Sequence, residues 1–327
     1  MSKHIIISFN LLGDFLFTTP AIRAYKQRMN PNDQLILLVN DQQFMQVAEN
    51  SPYVDKLLYI SGEQKDQLMS KYVKYNEKDL YKGLGVLEEF KTKTGETEKA
   101  CVLEIGRAFH WCTTHPKLVS VDEDGVRKAK VKLPHLAYAF SEQLKVNIDS
   151  THYDLRLTDA EIAEGEEYVS KYSKPVILCA ALSSSCTSRD KNVPGLPANK
   201  MLSAEVWNEV ISSLKNRFDF VFVAAPGEEL LPIIDATWEQ GLPIRKVASI
   251  CKAAKAVVSI DTGIAHICGA VDGNLVFIAA AVQSSLVCPE TRGRLSLVDH
   301  SALSPKPQGI NNVKPIEIIE AIQEVTR

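Results

Sequence analysis

Short apolar runs alternate along the chain with amphipathic stretches, and that alternation predicts strand–helix–strand units. "HIIIS" is followed by a helical pattern over 20–29, then by "QLILLVN" and a short helical pattern over 42–50. "KLLYI", a polar segment over 61–99, "ACVLEIG" and "KLVSV" come next, and the helical "LPHLAYAFSEQLKV" closes this half. The charged, helical "DAEIAEGEEYVSKY" connects to a second series: "KPVILCAAL", the helix "SAEVWNEVISSLKNRF", the strand "DFVFVAA", a helix over "GEELLPIIDATWEQG", "IRKVAS", the helix "SICKAAKA", the strand "AVVSI", the helix "GIAHICGAV", the strand "NLVFIAA" and the short run "RLSLV". Uninterrupted apolar runs such as "VILCAAL" are what parallel strands buried on both faces look like. Strands alternating with helices imply parallel βαβ units and doubly wound sheets.

The pattern therefore predicts two similar α/β halves, 1–155 and 173–310, joined near 155–173. "SALSPKPQGINNVKP" reads as a linker, and "PIEIIEAIQEV" as a final helix with proline in its first turn. With no strand of its own after the linker, this last helix (314–327) is expected to pack back on the first half.

Composition adds mainly exclusions. The 327 residues are 45% hydrophobic and 24% charged with a net charge of −3, a globular balance whose mixed signs favour neither a nucleic-acid stripe nor a membrane patch. Apolar runs are too short to span a bilayer, which takes about 18 residues. The start lacks a secretory signal pattern, so a cytoplasmic protein is expected. The seven cysteines include no C-x-x-C pair and read as reduced, mostly buried thiols. His and Cys show no metal-ligand spacing, so no metal is expected.

Ligands of open α/β sheets sit at the carboxyl ends of the strands, which directs attention to strand-to-helix junctions. In "SFNLLGDFLFTTPAIRAY", Gly13 is expected to turn the chain and Asp14 to stand where the first helix begins. A carboxylate there can simply favour the helix dipole. A collar of Leu11, Leu12, Phe15 and Phe17 would instead raise its proton affinity and suit it to general-base work. In "VVSIDTGIAHICGA", Asp261, Thr262 and Gly263 link a buried strand to a helix. Outward N–H groups of Thr262, Gly263 and Ile264 would make an anion site. The plain alternative is an N-cap at Asp261, a turn glycine at Gly263 and a satisfied structural histidine at His266.

Two further junctions carry polar groups. The 18-residue loop "SSSCTSRDKNVPGLPANK" brings Ser184, Ser185, Arg189, Lys191 and Lys200, hydroxyls and cations suited to phosphate oxygens, although a solvated loop has the same composition. In "VAAPGEEL", Glu228 or Glu229 could accept hydrogen bonds from ribose hydroxyls, or could merely start a helix. No G-x-G-x-x-G follows a strand, and neither a P-loop nor a G-x-S-x-G elbow is present.

The opening "IIISFNLLGDFLFTTPAIRAYKQRMNPNDQLILLVN" resembles that of glycosyltransferase family 9, the heptosyltransferase-like family, with its strand, G-D and T-P-A-[IL]-R-A. "ICKAAKAVVSIDTGIAHICGAV" resembles the family's second signature, D-[ST]-G-x-x-H after a buried strand. The resemblance implies a GT-B fold, two Rossmann-like doubly wound parallel-sheet domains facing across a cleft. It further implies a metal-independent inverting transferase with Asp14 as general base. Thr262, Gly263 and His266 then lie near the donor diphosphate. Lys200, with Trp207 seven residues on, matches a family lysine that contacts phosphate; Glu228 or Glu229 falls at the ribose, and Gly106 and Arg107 fall in a loop facing the acceptor.

No cofactor is implied beyond a nucleotide-diphosphate sugar as co-substrate, for which an ADP-sugar is the family default. Where these enzymes usually carry a G-P-T-D-P-like turn, this chain reads "AVQSSLVCPE", which leaves the donor sugar and base open. A glycan, glycolipid or other hydroxyl acceptor is implied, with peripheral membrane contact and a nucleic-acid acceptor left open. Two rivals stand beside the transferase: a GT-B-like sugar-nucleotide epimerase, and a non-catalytic sugar-nucleotide-binding or assembly protein.

Overall fold

The computed structural model describes residues 2–8, 10–39, 42–61, 63, 88–91, 97–103, 105–114, 118–121, 127–129, 132–182, 201–280, 282–301 and 310–327. It divides into two compact units, Met1–Arg156 and Leu157–Arg327.

The first unit carries β1 (Lys3–Ser8), α1 (Leu12–Leu16), α2 (Thr19–Arg28), β2 (Gln34–Val39), α3 (Gln42–Ala48), β3 (Lys56–Tyr59), β4 (Glu88–Lys91), β5 (Thr97–Leu103), α4 (Ile105–Thr114), β6 (Val119–Val121), β7 (Arg127–Ala129) and α5 (Leu136–Gln143). Its main sheet runs β3-β2-β1-β5-β4. All pairs are parallel except β4 with β5. The β4 segment lies inside the polar stretch that periodicity leaves without an element. "KLVSV" does not join this sheet: its strand β6 pairs antiparallel with β7 in a separate ribbon. Ile7, Ile36, Leu38, Ile60 and Val102 form one core cluster.

The second unit carries α6 (Asp159–Ser170), β8 (Val176–Ala180), α7 (Ala204–Leu214), β9 (Asp219–Ala224), β10 (Thr237–Gln240), α8 (Ile244–Ala253), β11 (Ala256–Ile260), α9 (Gly263–Ala270), β12 (Leu275–Ala279), α10 (Ser284–Val287), β13 (Leu295–Asp299) and α11 (Pro315–Val325). Its sheet is parallel throughout, in the order β10-β9-β8-β11-β12-β13. Every residue of β8, β11 and β12 is buried, as their unbroken apolar runs require.

Three expectations about this half are corrected. "GEELLPIIDATWEQG" forms no helix: Pro226, Gly227 at φ +77° and Pro232 break it, and its end becomes strand β10. "IRKVAS" and "SICKAAKA" are one helix, α8. The last helix does not return to the first half. Ile318, Ile319, Ala321, Ile322 and Val325 of α11 belong to the second unit's core beside Trp207, Val210 and Leu214 of α7.

The entry into the second unit is held by one carboxylate. Thr158 caps α6, and Glu161 returns the bond, its carboxylate accepting from the Thr158 N–H (2.8 Å) and hydroxyl (2.9 Å). The same carboxylate takes both Nε and Nη2 of Arg245 on α8, the latter at 2.6 Å. The Arg245 guanidinium, aided by the Thr158 bonds, holds the Glu161 carboxyl down at about 2. Because the folded value lies below the unfolded one, this stabilisation is complete above the unfolded value of 4.5 and is lost as pH falls through about 2. Glu161→Gln is expected to cost the second unit about 2 kcal/mol at neutral pH, with the gap from the native protein closing below pH ~4. Chemical denaturation at a series of pH values checks this; a gap independent of pH contradicts it.

Candidate functional site

In each sheet the strand order reverses at one point, and there the loops at the carboxyl ends of neighbouring strands lead to opposite faces and open a crevice. In the first sheet the reversal lies between β1 and β5; in the second it lies between β8 and β11. The connection after β1 leads into α1, which holds Gly13 and Asp14, and the one after β5 leads to Gly106 and Arg107 on α4. The loop after β11 holds Asp261, Thr262 and Gly263. The segment after β8 begins the serine-rich stretch, in which Ser184, Ser185, Arg189, Lys191 and Lys200 lie outside the described residues.

Asp14 is half-buried in the first turn of α1, a five-residue helix. Gly13 lies inside this helix and has no positive φ, so the expected turn at Gly13 is absent; the chain turns through extended Leu11 instead. Of the expected apolar collar, Leu12 is half-buried. Phe15 and Phe17 are buried in the core, while Leu11 is 64% exposed. Helical geometry explains this: residues 11 and 15 lie one turn apart, but the chain is only entering the helix at 11, so its side chain faces outward.

The α1–α2 corner is stiffened by hydroxyls. Thr18 Oγ1 donates to the Phe15 carbonyl (2.7 Å) and Thr19 Oγ1 to that of Leu16 (2.8 Å). Thr19 also accepts from the Asp154 N–H at 2.9 Å, and Arg23 donates to the Asp154 carboxylate at 2.6 Å. Burial pushes the Asp154 carboxyl up, and Arg23 opposes the shift.

Between β1 and α1 stands a residue whose role sequence reasoning missed. Asn10, 4% exposed, donates from Nδ2 to Ser8 Oγ (2.9 Å) and to the Leu103 carbonyl (3.1 Å). Its Oδ1 accepts from the N–H of Ile105 at 2.9 Å. The only local sign is one amide side chain directly after an apolar strand.

At the second reversal the N-cap is Thr262 rather than Asp261. Thr262 Oγ1 accepts from the Ile264 N–H (3.3 Å), and the Thr262 carbonyl accepts from Ala265 (3.1 Å). Ile264 therefore spends its N–H inside the turn, a correction to the expected outward set; Thr262 and Gly263 are the residues whose N–H groups these two bonds leave unused. Ser259, buried in β11, donates to the Ile260 carbonyl at 2.7 Å, so in its 3.1 Å contact with Thr262 it is the acceptor. A serine inside an apolar strand is the sequence sign of this second missed residue. Asp261 stands 3.5 Å from Nε2 of His266, which is buried one turn into α9.

Glu228 closes its own turn by accepting from the Ala225 N–H at 2.8 Å, with Gln240 donating to the carbonyls of Ala225 and Glu228. Glu229 is exposed beside it. Trp207, whose spacing singles out Lys200, is fully buried and meets Phe222 edge-on, with ring centroids 5.1 Å apart. It is a core residue. The six described cysteines are free, five of them buried, and burial pushes the Cys112 thiol up to about 12. Among the described residues no group of three or more His, Cys, Asp or Glu is placed to hold a metal ion, and no helix is long and apolar enough to cross a membrane.

Two Rossmann-like units in tandem, each built on a largely parallel sheet with one strand-order reversal, define a chain of the GT-B fold. Solved structures with this architecture are similar along nearly the whole chain. A glycosyl transferase family 9 structure from Veillonella parvula DSM 2008 shares 14% identity at a TM-score of 0.64, over 99% of this chain and 97% of that one. The E. coli ADP-heptose LPS heptosyltransferase II shares 13% at a TM-score of 0.65, over 99% and 98%. The iron-containing dodecameric glycosyltransferase TibC of enterotoxigenic E. coli H10407 shares 12% at 0.59, over 99% of this chain and 75% of that one. No family model matches the sequence, and a search of curated proteins finds no match. At these identities the likeness is one of fold.

Proposed function

We propose that this chain is an inverting, metal-independent glycosyltransferase that moves a sugar from a nucleotide-diphosphate sugar to an acceptor hydroxyl. The supporting observation is that both motifs legible in the sequence fall at a strand-order reversal, one in each Rossmann-like unit. The first unit receives the acceptor beside Gly13, Gly106 and Arg107. The second holds the donor, with its diphosphate against the N–H groups of Thr262 and Gly263 at the positive end of α9. Lys200, Ser184 and Ser185, in the sequence after β8, add charge and hydroxyls, and Glu228 or Glu229 meets the ribose.

The reaction is one displacement. The acceptor oxygen forms a bond to the anomeric carbon while that carbon's bond to the diphosphate oxygen breaks. The acceptor proton passes to the Asp14 carboxylate. The negative charge left on the diphosphate is met by preorganised N–H donors, which hold it without a metal. Asp261 and His266, 3.5 Å apart, complete the phosphate side of this turn. The chemistry of an ADP-sugar donor and of a glycan or glycolipid acceptor follows the family resemblance, and a cytoplasmic site of action accords with a soluble sugar-nucleotide supply.

A donor screen tests this directly. One of the ADP-, GDP-, UDP- or dTDP-sugars is expected to raise the unfolding temperature, by about 2.7 kcal/mol of added stability at a concentration of 100 Kd. The protected donor should then yield product only when an acceptor is added. Turnover of donor alone to an epimer, or protection without any product across glycan and glycolipid acceptors, overturns the proposal.

A further inference from the structure

We infer that Asn10 is the positioning residue of the first unit's reacting edge, a cross-strand cap that holds the start of α1, which carries Asp14, and the start of α4, which carries Gly106 and Arg107, at one spacing. This rests on the reading of Asp14 as the base. Ile105 is the first residue of α4, and helix-opening N–H groups have no partner within their own helix. A side chain next to the helix in sequence normally supplies one. Here the acceptor comes from 95 residues away, across the strand-order reversal.

The amide is suited to that place. It must donate to the Leu103 carbonyl at the end of β5 and to Ser8 Oγ at the end of β1, and it must accept from Ile105. A carboxylate would set oxygen against the Leu103 carbonyl, and a hydroxyl is too short to span both strand ends. The two bonds that the amide donates are buried and the one it accepts from Ile105 is part-buried, so water does not replace the pair it donates without rearrangement. One residue further along, Leu11 is the N-cap of the short helix that carries Asp14; one residue beyond Ile105 lies Gly106. The amide therefore transmits the β1–β5 spacing, fixed by their parallel pairing, to both helix starts. Geometry of this kind matters to rate because small displacements of a base from its proton are costly.

The test uses the full chain with Asn10→Ala and the isosteric Asn10→Asp, alongside Asp14→Asn. Asn10→Ala is expected to lower kcat at saturating acceptor by about tenfold or more, with the donor Kd by calorimetry within about twofold of the native value. Amide exchange at Ile105 should accelerate while β1 and β5 stay protected. Asn10→Asp keeps the acceptor for Ile105 but loses both donors, and is expected to lower kcat by about threefold or more, less than the alanine variant does. A merely structural asparagine would lower the unfolding temperature and leave kcat per folded molecule unchanged. Folded Asn10→Ala with kcat within about twofold of native overturns the inference, and if that variant fails to fold, the same result for Asn10→Asp overturns it. Should Asp14→Asn itself remain active, the reading of the base has failed; should only the Asn10 variants remain active, this inference alone has.

Discussion

Asp14→Asn is expected to lower sugar transfer by about 10²–10⁴-fold, the usual contribution of a positioned general base. The amide has the carboxylate's shape but cannot take the acceptor's proton, so the oxygen must attack while still protonated. The fold should tolerate the change. Asp14 sits in the first turn of a five-residue helix and is half-buried, and the helix-dipole contribution of such a carboxylate is only ~0.3–1 kcal/mol. Donor binding should survive as well, because the proposed diphosphate contacts at Thr262 and Gly263 belong to the other unit. Three measurements together read this: product formation, calorimetry with the nucleoside diphosphate, and thermal unfolding. Near-native turnover in the asparagine variant removes Asp14 from the chemistry. Loss of donor affinity together with turnover would move Asp14 from base to donor ligand.

Gly165→Ala is expected to destabilise the second unit by about 3 kcal/mol, the upper end of ordinary overpacking costs. A Cβ at this position would lie 2.2 Å from the Ser249 carbonyl oxygen and 2.6 Å from its carbon, both backbone atoms of α8. Backbone cannot rotate aside as a side chain can, so α6 and α8 must separate. That separation strains the Glu161–Arg245 pair and the Lys246 bond to the Glu164 carbonyl (2.9 Å), which join the same two helices. The gain in helix propensity from glycine to alanine, roughly 0.5–1 kcal/mol, offsets only part of the cost. For a unit of this size the expected fall in unfolding temperature is about 6–12 °C. An unchanged unfolding temperature would show that the two helices yield without cost.

Much of this architecture is legible along the chain because strand and helix periodicities are local. The burial of β8, β11 and β12 follows from their runs of apolar residues, whatever their neighbours in the sheet. The Asp-Thr-Gly turn is equally local, since a strand end, a capping hydroxyl and a glycine within three residues suffice to start a helix. Local reasoning fails where two patterns coincide. "GEELLPIIDATWEQG" has helical spacing, but Pro232 removes a backbone donor, and Thr237–Gln240 finds a better partner in β9. The α11 helix has an apolar face that any core could cover, and nothing in its eleven residues says which unit supplies it.

By itself, the sequence determined the two series of alternating strands and helices and the burial of β8, β11 and β12. Only the tertiary structure decided which loops share a strand-order reversal, that Thr262 caps α9 while Asp261 turns to His266, and that Asn10 bonds Ile105. Side-chain periodicity spans a few residues and is written in neighbours. Strand order and a hydrogen bond across 95 positions depend on which long loops close, and the free energy of closing them changes too slowly with length for the intervening residues to announce it.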